Sequence, residues 1–462
     1  MQPLRCLTMT EPSPKSNLAR FAEAAVRRLE EVDPELSTIL DNEYRRQSSV
    51  LTMVASSSIA DPSALICEAM TSMNVTAEGY PGRRFHAGCR HIDEIEQLAI
   101  DRVKAVFGAQ FANVQPMTAS SANEIVMFST LKAGDTLLGM DLDSGGHLTH
   151  GSKASISGQV FNAVGYGLDS NERLDYDQAH ALAVEHKPKL IICGTTAYAR
   201  EIDWARFRAI ADEVGAYVLA DITHIAGLVA AGIHSSPIDH AHFTTTCTHK
   251  QLFGGRGGLI LIGKDHDQPA HDEPDKTLAQ VIQNRVFPYF QGAPNQSSIA
   301  AKARGMGFVG SDGFKAVARR IVDLSQALAA AFVDKGYRVI TGGTDNHIVV
   351  VDVMQKGITG VNAEKALEDC GIVVNKNRIP FDQKSPFVTS GIRLGTNGLA
   401  IREMEPEDMV DCVEVIHDVL SHLEQSGDKE YRVDPGAVAR AEAEVARLCV
   451  LRPIRTYPPV QG

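Results

Sequence analysis

Apolar residues recur along this chain in two alternating rhythms. Leu18, Phe21, Ala25 and Leu29 fall at helical spacing with charges between them, so the N-terminal stretch reads as a helical arm. From Ile92 onward helical and extended patterns take turns. Residues 92–107, 121–132, 204–214 and 313–335 have the length and spacing of helices. Residues 135–140, 189–193, 217–222, 242–246 and 258–262 are short apolar runs bounded by glycine or polar residues, which predicts strands. Strand, helix and strand in series predict an α/β protein with a mostly parallel sheet covered on both faces. Past Gly310 the character changes: strands are expected at 337–341 and 348–353, and helices at 363–370 and 409–423. The expected division is an arm over 1–55, a large domain over 56–310 and a smaller α+β domain over 311–462.

Composition narrows the class. The chain has 462 residues, 44% hydrophobic and 22% charged, enough for a sizeable core without disulfides. A formal net charge of −12 argues against nucleic acid or an anionic membrane as partner, and leaves room for a local basic pocket. The 8 cysteines include no C-x-x-C pair, which suits reduced thiols in the cytoplasm. Arg5 and Glu11 frame no apolar core of a secretory signal, and no stretch is long and apolar enough to span a membrane.

Several segments carry candidate chemistry. A β-branched run ends in Cys247-Thr248-His249-Lys250, followed by Gly254-Gly255-Arg256-Gly257-Gly258. A lysine at the carboxyl end of a strand can form a Schiff base when burial and nearby cations lower its pKa. Glycines beside it let backbone N–H groups approach a phosphate. The alternative is a solubilising surface lysine. The run at 217–220 delivers Asp221, with His224 close behind, and a carboxylate there suits a buried pyridinium nitrogen; an ordinary helix cap is the other reading. In Ser144-Gly145-Gly146-His147-Leu148-Thr149-His150 an imidazole beside two glycines could stack on a planar ring. A metal set drawn from His147, His150, His240 and His242 is disfavoured, because no recognised ligand spacing occurs. Thr118-Ala119-Ser120-Ser121 precedes a predicted helix and offers an N-terminal phosphate site or a plain N-cap. Ser390-Gly391-Ile392-Arg393 offers a fork for a carboxylate.

In this order the segments resemble serine hydroxymethyltransferase. The likeness runs through residues 77–84, Gly88-Cys89, 96–99, 112–116 and 145–151. It continues through 224–228, Thr248-His249-Lys250, 342–347 and 385–393. The resemblance implies the aminotransferase-like fold of pyridoxal phosphate enzymes, termed fold type I. It implies Lys250 as the residue bonded to the cofactor, Asp221 on the pyridine nitrogen, His147 on the ring and His224 near the ring oxygen, with His249 and Thr196 close by. Ala119 and Ser120 would bind phosphate, joined by Gly292 of a second chain. Ser56, Arg393 and Arg256 would face the substrate carboxylate, and Glu78 of the second chain would handle the hydroxyl proton. Leu142, Gly146, Leu148 and Asn377 would line a tetrahydrofolate site. Shared sites imply an obligate homodimer, with a tetramer as the alternative.

Departures from the family pattern gather around the substrate. Thr76 stands where serine enzymes carry Tyr, Phe85-His86 replaces Tyr-Tyr, and Ser56-Ser57-Ser58 replaces Ser-Glu-Asn. Cys247 replaces Thr, Thr223 replaces Ala, and Gly292-Ala293 replaces Gly-Gly. Losing a ring, which covers about 150–250 Å², makes room for a substrate bulkier at Cα. The expectation is therefore the α-methylserine branch: 2-methylserine cleaved to D-alanine, with one-carbon transfer to tetrahydrofolate. The alternatives are serine and glycine exchange, a folate-independent aldolase, and a non-catalytic homologue, which intact Lys250, Asp221 and Arg393 disfavour.

Overall fold

The computed structural model describes residues 16–460. Cys6 and the leader reading at Arg5 and Glu11 lie outside those described residues. The described chain falls into two units, one ending at Ser48 and the other spanning Ser49–Pro459. In the first, the predicted arm is two helices, α1 (Asn17–Val32) and α2 (Pro34–Ser49). Ser16 caps α1 by accepting the Ala19 N–H at 3.2 Å. Asp33 leaves helical geometry at φ −145°, and Pro34 opens α2 where its missing N–H has no helical partner to lose.

Within Ser49–Pro459 seven strands form one sheet. They are β1 (Phe111–Asn113), β2 (Thr136–Met140), β3 (Asn162–Tyr166), β4 (Leu190–Gly194), β5 (Tyr217–Asp221), β6 (Phe243–Cys247) and β7 (Gly258–Ile262), in the order β1-β7-β6-β5-β4-β2-β3. Strands β2 to β6 pair in parallel, whereas β7 runs antiparallel to both β1 and β6. Every residue of β4, β5, β6 and β7 is buried, which is why these runs do not alternate apolar with exposed polar residues; the polar ones they carry, Thr244 to Thr246 on β6 and Asp221 on β5, are buried too. Side chains still alternate between faces: Leu138, Ile191 and Val218 join one cluster, and Leu137, Leu190 and Leu219 join another.

Helices cover both faces. α3 (Arg90–Phe107) turns Ile92, Glu96, Ala99, Val103 and Phe107 inward and stops at Gly108, whose φ of 68° suits glycine. α4 (Ala119–Thr130) starts two residues ahead of the predicted helix because Thr118 and Ser121 cap each other reciprocally. α5 (Trp204–Val214) falls where the pattern placed it. α6 (Gln296–Val309), which no pattern predicted, leads directly into α7 (Asp312–Asp334).

A second sheet of four strands, β8 (Arg338–Val339), β9 (Ile348–Asp352), β10 (Asn375–Asn377) and β11 (Gly391–Gly395), is antiparallel throughout, in the order β8-β9-β11-β10. The strand expected over 337–341 shrinks to two residues, because Thr341 turns to φ 63° and gives its N–H to the Glu172 carboxylate at 2.7 Å. A hairpin (Leu423–Gly427 with Glu430–Val433) and a helix (Pro435–Leu451) follow, both unforeseen in the sequence. We propose the division into 56–310 and 311–462, supported by the two sheets lying wholly on either side of residue 310.

One contact fixes where the chemistry sits. Gly194 on β4 pairs with Asp221 on β5 at a φ of 150°, and a Cβ there would lie 2.2 Å from the Asp221 carbonyl oxygen. Gly194→Ala is therefore expected to destabilise the protein by about 1–3 kcal/mol through overpacking. Denaturant unfolding checks this, and an unchanged midpoint would contradict it.

Candidate active site

Lys250 follows the carboxyl end of β6, and Asp221 ends β5. Between them lies a cavity of about 230 Å³, lined also by Ala119, Ser120, His147, Thr196, His224, Cys247, His249 and Arg256. The sheet thus gathers residues that are up to 138 positions apart in sequence, Thr118 to Arg256, at one end of its strands.

Asp221 is buried and fully held. Its Oδ2 accepts from Asn123 Nδ2 at 2.8 Å and from His150 Nε2 at 3.0 Å, and its Oδ1 accepts the Thr223 N–H at 3.0 Å. His150 Nδ1 accepts the His147 N–H at 3.2 Å, which assigns the His150 proton to Nε2, facing the carboxylate. Burial alone would push the Asp221 carboxyl up; the hydrogen bonds from His150 and Thr223 outweigh it and hold the carboxyl well below its usual range. Asn123, Thr149 and His150 are functional residues that the sequence reading left unassigned. Their signal was present in the motif at 145–151 and in Asn123 on the first turns of α4, which reaches both Asp221 and Thr149. Ligand atoms of His147, His150 and Asp221 lie within 4.8 Å of one another. Because Asp221 and His150 are already engaged in these bonds, the set serves to hold the carboxylate.

The basic groups are shaped by burial. Lys250 Nζ lies 2.9 Å from His224 Nε2, and burial, with Arg393 and Arg256 nearby, lowers its pKa. Burial and Lys250 hold His224 well below the usual imidazole range, so the ring accepts. His224 stacks on His347 at 5.8 Å. Burial pushes His147 down to about 4, and burial with Arg256 does the same to His249. Arg256 Nη1 meets His249 Nε2 at 3.1 Å.

Arg393, on β11, donates to Thr196 O at 2.5 Å and to Asn375 Oδ1 at 3.0 Å. Burial lowers its pKa to about 10, so it stays cationic, and among the described residues no carboxylate pairs with it. Thr196 also binds the glycine loop, its N–H reaching Gly145 O at 2.7 Å. Ser56 follows Ala55, whose carbonyl accepts from His347 and Asn397.

Several predicted residues do not line that cavity. Ser56 and Arg393 are absent from its lining, although Arg393 meets the lining residue Thr196, and Thr76, Glu78, Phe85, His86 and Gly292 do not line it either. Glu78 meets His86 at 3.4 Å, a Cβ on Gly292 would lie 3.3 Å from Glu78 Oε1, and Phe85, 74% exposed, packs edge-on to Phe287. Their hairpin is anchored from below: Arg84 binds Glu96 at 2.6 Å and Asp93 at 2.8 Å, and Gln115 Nε2 binds Glu96 and the Gly79 carbonyl. Leu142, Gly146, Leu148 and Asn377 also lie outside the cavity lining; Leu142 and Leu148 are half-exposed, and Asn377 ends β10. Asp143 and Arg378, next in sequence to Leu142 and Asn377, form an ion pair.

Comparison with known proteins gives the context. The family model described as serine hydroxymethyltransferase matches residues 29–416. The chain belongs to the serine hydroxymethyltransferase family. Proteins named serine hydroxymethyltransferase from Xanthomonas campestris pv. campestris and Rickettsia akari are each 47% identical to it, over 394 and 403 residues. Those alignments cover 85% and 87% of this chain and 92% and 93% of the relatives. A third, from Xanthomonas axonopodis pv. citri, is 46% identical over 393 residues. As a member of the serine hydroxymethyltransferase family the chain is a pyridoxal-phosphate-dependent hydroxymethyltransferase of fold type I, a family that uses pyridoxal phosphate and tetrahydrofolate.

The cavity fits that cofactor. Thr223 Oγ1, His224 Nδ1 and His249 Nδ1 are buried without a hydrogen-bond partner, and all three residues line it. Polar atoms left so in a dry site await a ligand.

Two outcomes follow. Lys250→Ala should abolish turnover and cofactor trapping by borohydride while the far-UV circular dichroism holds; trapped cofactor in the variant would refute the assignment. Buried His147 and His249, at about 4, and His347, at about 3, bind protons below about 6.5 only on unfolding. The unfolded state then holds more protons, so stability rises with pH across that window. The thermal midpoint of the cofactor-free protein should be level above about pH 7 and fall between about 6.5 and 4.

Proposed function

We propose that the enzyme moves a hydroxymethyl group between a serine-type amino acid and tetrahydrofolate, as a cytoplasmic homodimer whose chains complete each other's sites. The names of the relatives support serine as donor, and serine that loses its hydroxymethyl group leaves glycine. The observation that carries the reading is the cavity itself, where a lysine of lowered basicity and a fully held aspartate stand together, with Arg393, which no carboxylate pairs, bound to the lining residue Thr196. Exposure of Phe85 and His86 and partial exposure of Glu78, none of them lining the cavity of Lys250, support their service to a second copy, together with Thr76 and Gly292.

In this reading Lys250 would hold the cofactor, Asp221 would pair with its ring nitrogen, His147 would cover the ring, and His224, Thr223, Thr196 and His249 would surround it. Ala119 and Ser120 would take the phosphate, and Arg256 would face the substrate. Bound there, pyridoxal phosphate supplies a sink for the electrons of the bond that breaks at Cα. Arg393 grips the substrate carboxylate with its fork, aided by Ser56, which sets the hydroxymethyl bond in its reacting orientation. Uncharged His147 brings no cation to the ring, so Asp221 dominates the electrostatics there. Glu78 moves the hydroxyl proton of the substrate. Leu142, Gly146, Leu148 and Asn377 receive the folate, and their retention supports transfer over a bare aldolase.

A second reading is favoured by Thr76. With a small side chain two residues before Glu78, the site accommodates a methyl group at Cα, so that 2-methylserine yields D-alanine. Such a substrate has no Cα–H, which closes racemisation and transamination. Turnover of serine and both 2-methylserine enantiomers, each with and without tetrahydrofolate, separates the readings. Higher kcat/KM for serine leaves the first reading standing and removes the second; higher kcat/KM for 2-methylserine does the reverse. A rate undiminished without folate overturns the transferase reading in favour of an aldolase. Under the second reading Thr76→Tyr shifts preference toward serine by about tenfold, the effect of roughly 1.4 kcal/mol.

A further inference from the structure

A buried charge lies beneath the turn that leads into α4. Lys302 on α6 is 1% exposed, and its ammonium donates to three backbone carbonyls: Val114 O at 2.6 Å, Pro116 O at 3.0 Å and Gly258 O at 3.1 Å. Those bonds use all three of its N–H donors. Among the described residues no carboxylate forms an ion pair with it, so the three carbonyl dipoles are its immediate compensation. Burial nevertheless pushes its pKa down to about 7, against the more distant pull of Glu68 and Glu96.

The acceptors belong to two pieces of chain that must meet. Val114 and Pro116 lie between β1 and α4, and Gly258 opens β7. Gly258 returns its own N–H to the Pro116 carbonyl at 2.8 Å. The packing has no slack. A Cβ on Gly258 would lie 2.2 Å from Thr118 O, and one on Gly257 would lie 1.9 Å from Lys302 Cε. Without the ammonium these three carbonyl oxygens would converge and repel one another with only the Gly258 N–H, given to Pro116 O, between them. The cation therefore makes this close approach possible, and the approach fixes the turn at 116–118 that delivers Ala119 and Ser120.

We propose that Lys302 is a positioning residue for the cofactor phosphate, acting through the Pro116 and Gly258 carbonyls to set where the first amides of α4 point. This rests on the assignment of Ala119 and Ser120 to that phosphate. Neither the cofactor nor the substrate touches Lys302 in this account, so its effect is separable from the chemistry at Lys250.

The test compares binding of pyridoxal phosphate and of unphosphorylated pyridoxal to the cofactor-free full-length protein, wild type and Lys302→Met. Lys302→Met is expected to lower the ratio of the two affinities by about tenfold or more, with pyridoxal binding little changed. Equal weakening of both compounds marks a merely structural role and overturns the inference, as does a ratio equal to the wild type. Should Lys302→Met fail to fold, Lys302→Gln, which keeps two N–H donors, is expected to lower the ratio by a smaller factor, and an unchanged ratio again overturns the inference. A wild-type protein with no preference for the phosphorylated form overturns the phosphate assignment, and the inference with it. A wild-type preference that survives in the variants leaves the assignment standing and removes only the role of Lys302.

Discussion

Burying a carboxylate costs several kcal/mol unless hydrogen bonds replace the water it gives up. At the end of β5 that demand is met by three donors from three parts of the chain: Asn123 on α4, His150 from the loop after β2, and the Thr223 N–H. Each side-chain donor is itself held. The Thr245 hydroxyl on β6 donates to Asn123 Oδ1 at 2.5 Å, and the His147 N–H fixes the tautomer of His150. Two neighbouring strands, one helix and the glycine loop therefore share one anion. Removing it would leave several buried polar groups without partners at the same place.

The rest of the site answers that anion with cations and neutral rings. The chain as a whole is acidic, at −12, yet Lys250, Arg256 and Arg393 are brought together at one end of its large sheet. Burial of Lys250, with repulsion from the two arginines, lowers its basicity, which is the condition for a lysine to act as a nucleophile. The histidines nearby stay uncharged for the same reason, so His147 and His224 offer planar surface and lone pairs rather than further positive charge.

A second group of residues is organised differently. The hairpin beside Glu78 is held from within, where Arg84, Glu96 and Gln115 form a buried network, and bare outside, where Phe85, bonded to the Glu78 carbonyl at its open end, is 74% exposed. Rigidity without cover is what a surface needs when another chain completes it, because little ordering cost is left for association. Gln115 lies between Val114 and Pro116, two of the three residues whose carbonyls Lys302 binds, so the hairpin and the turn at 116–118 are fastened to the same short segment.

The alternation of elements, the strand-end lysine and aspartate, the glycine-flanked histidine and the arginine of β11 were all legible along the chain, because each is a local pattern: period, length and a turn residue. Departures at Thr76 and at 85–86 were equally plain, since they need only a family likeness to stand out. Helix α6, the short β8 and the C-terminal hairpin were not, because their form follows from what they pack against or from a turn such as that at Thr341. The same holds for Asn123, His150 and Lys302. Asparagine in a helix, histidine after a loop and lysine among alanines have ordinary meanings in sequence, and only proximity to a buried carboxylate or to three carbonyl oxygens gives them another. Sequence alone thus determined the fold class, the family and the principal reactive groups; tertiary structure decided which polar side chains are buried together, since that depends on distances between segments that no local pattern encodes.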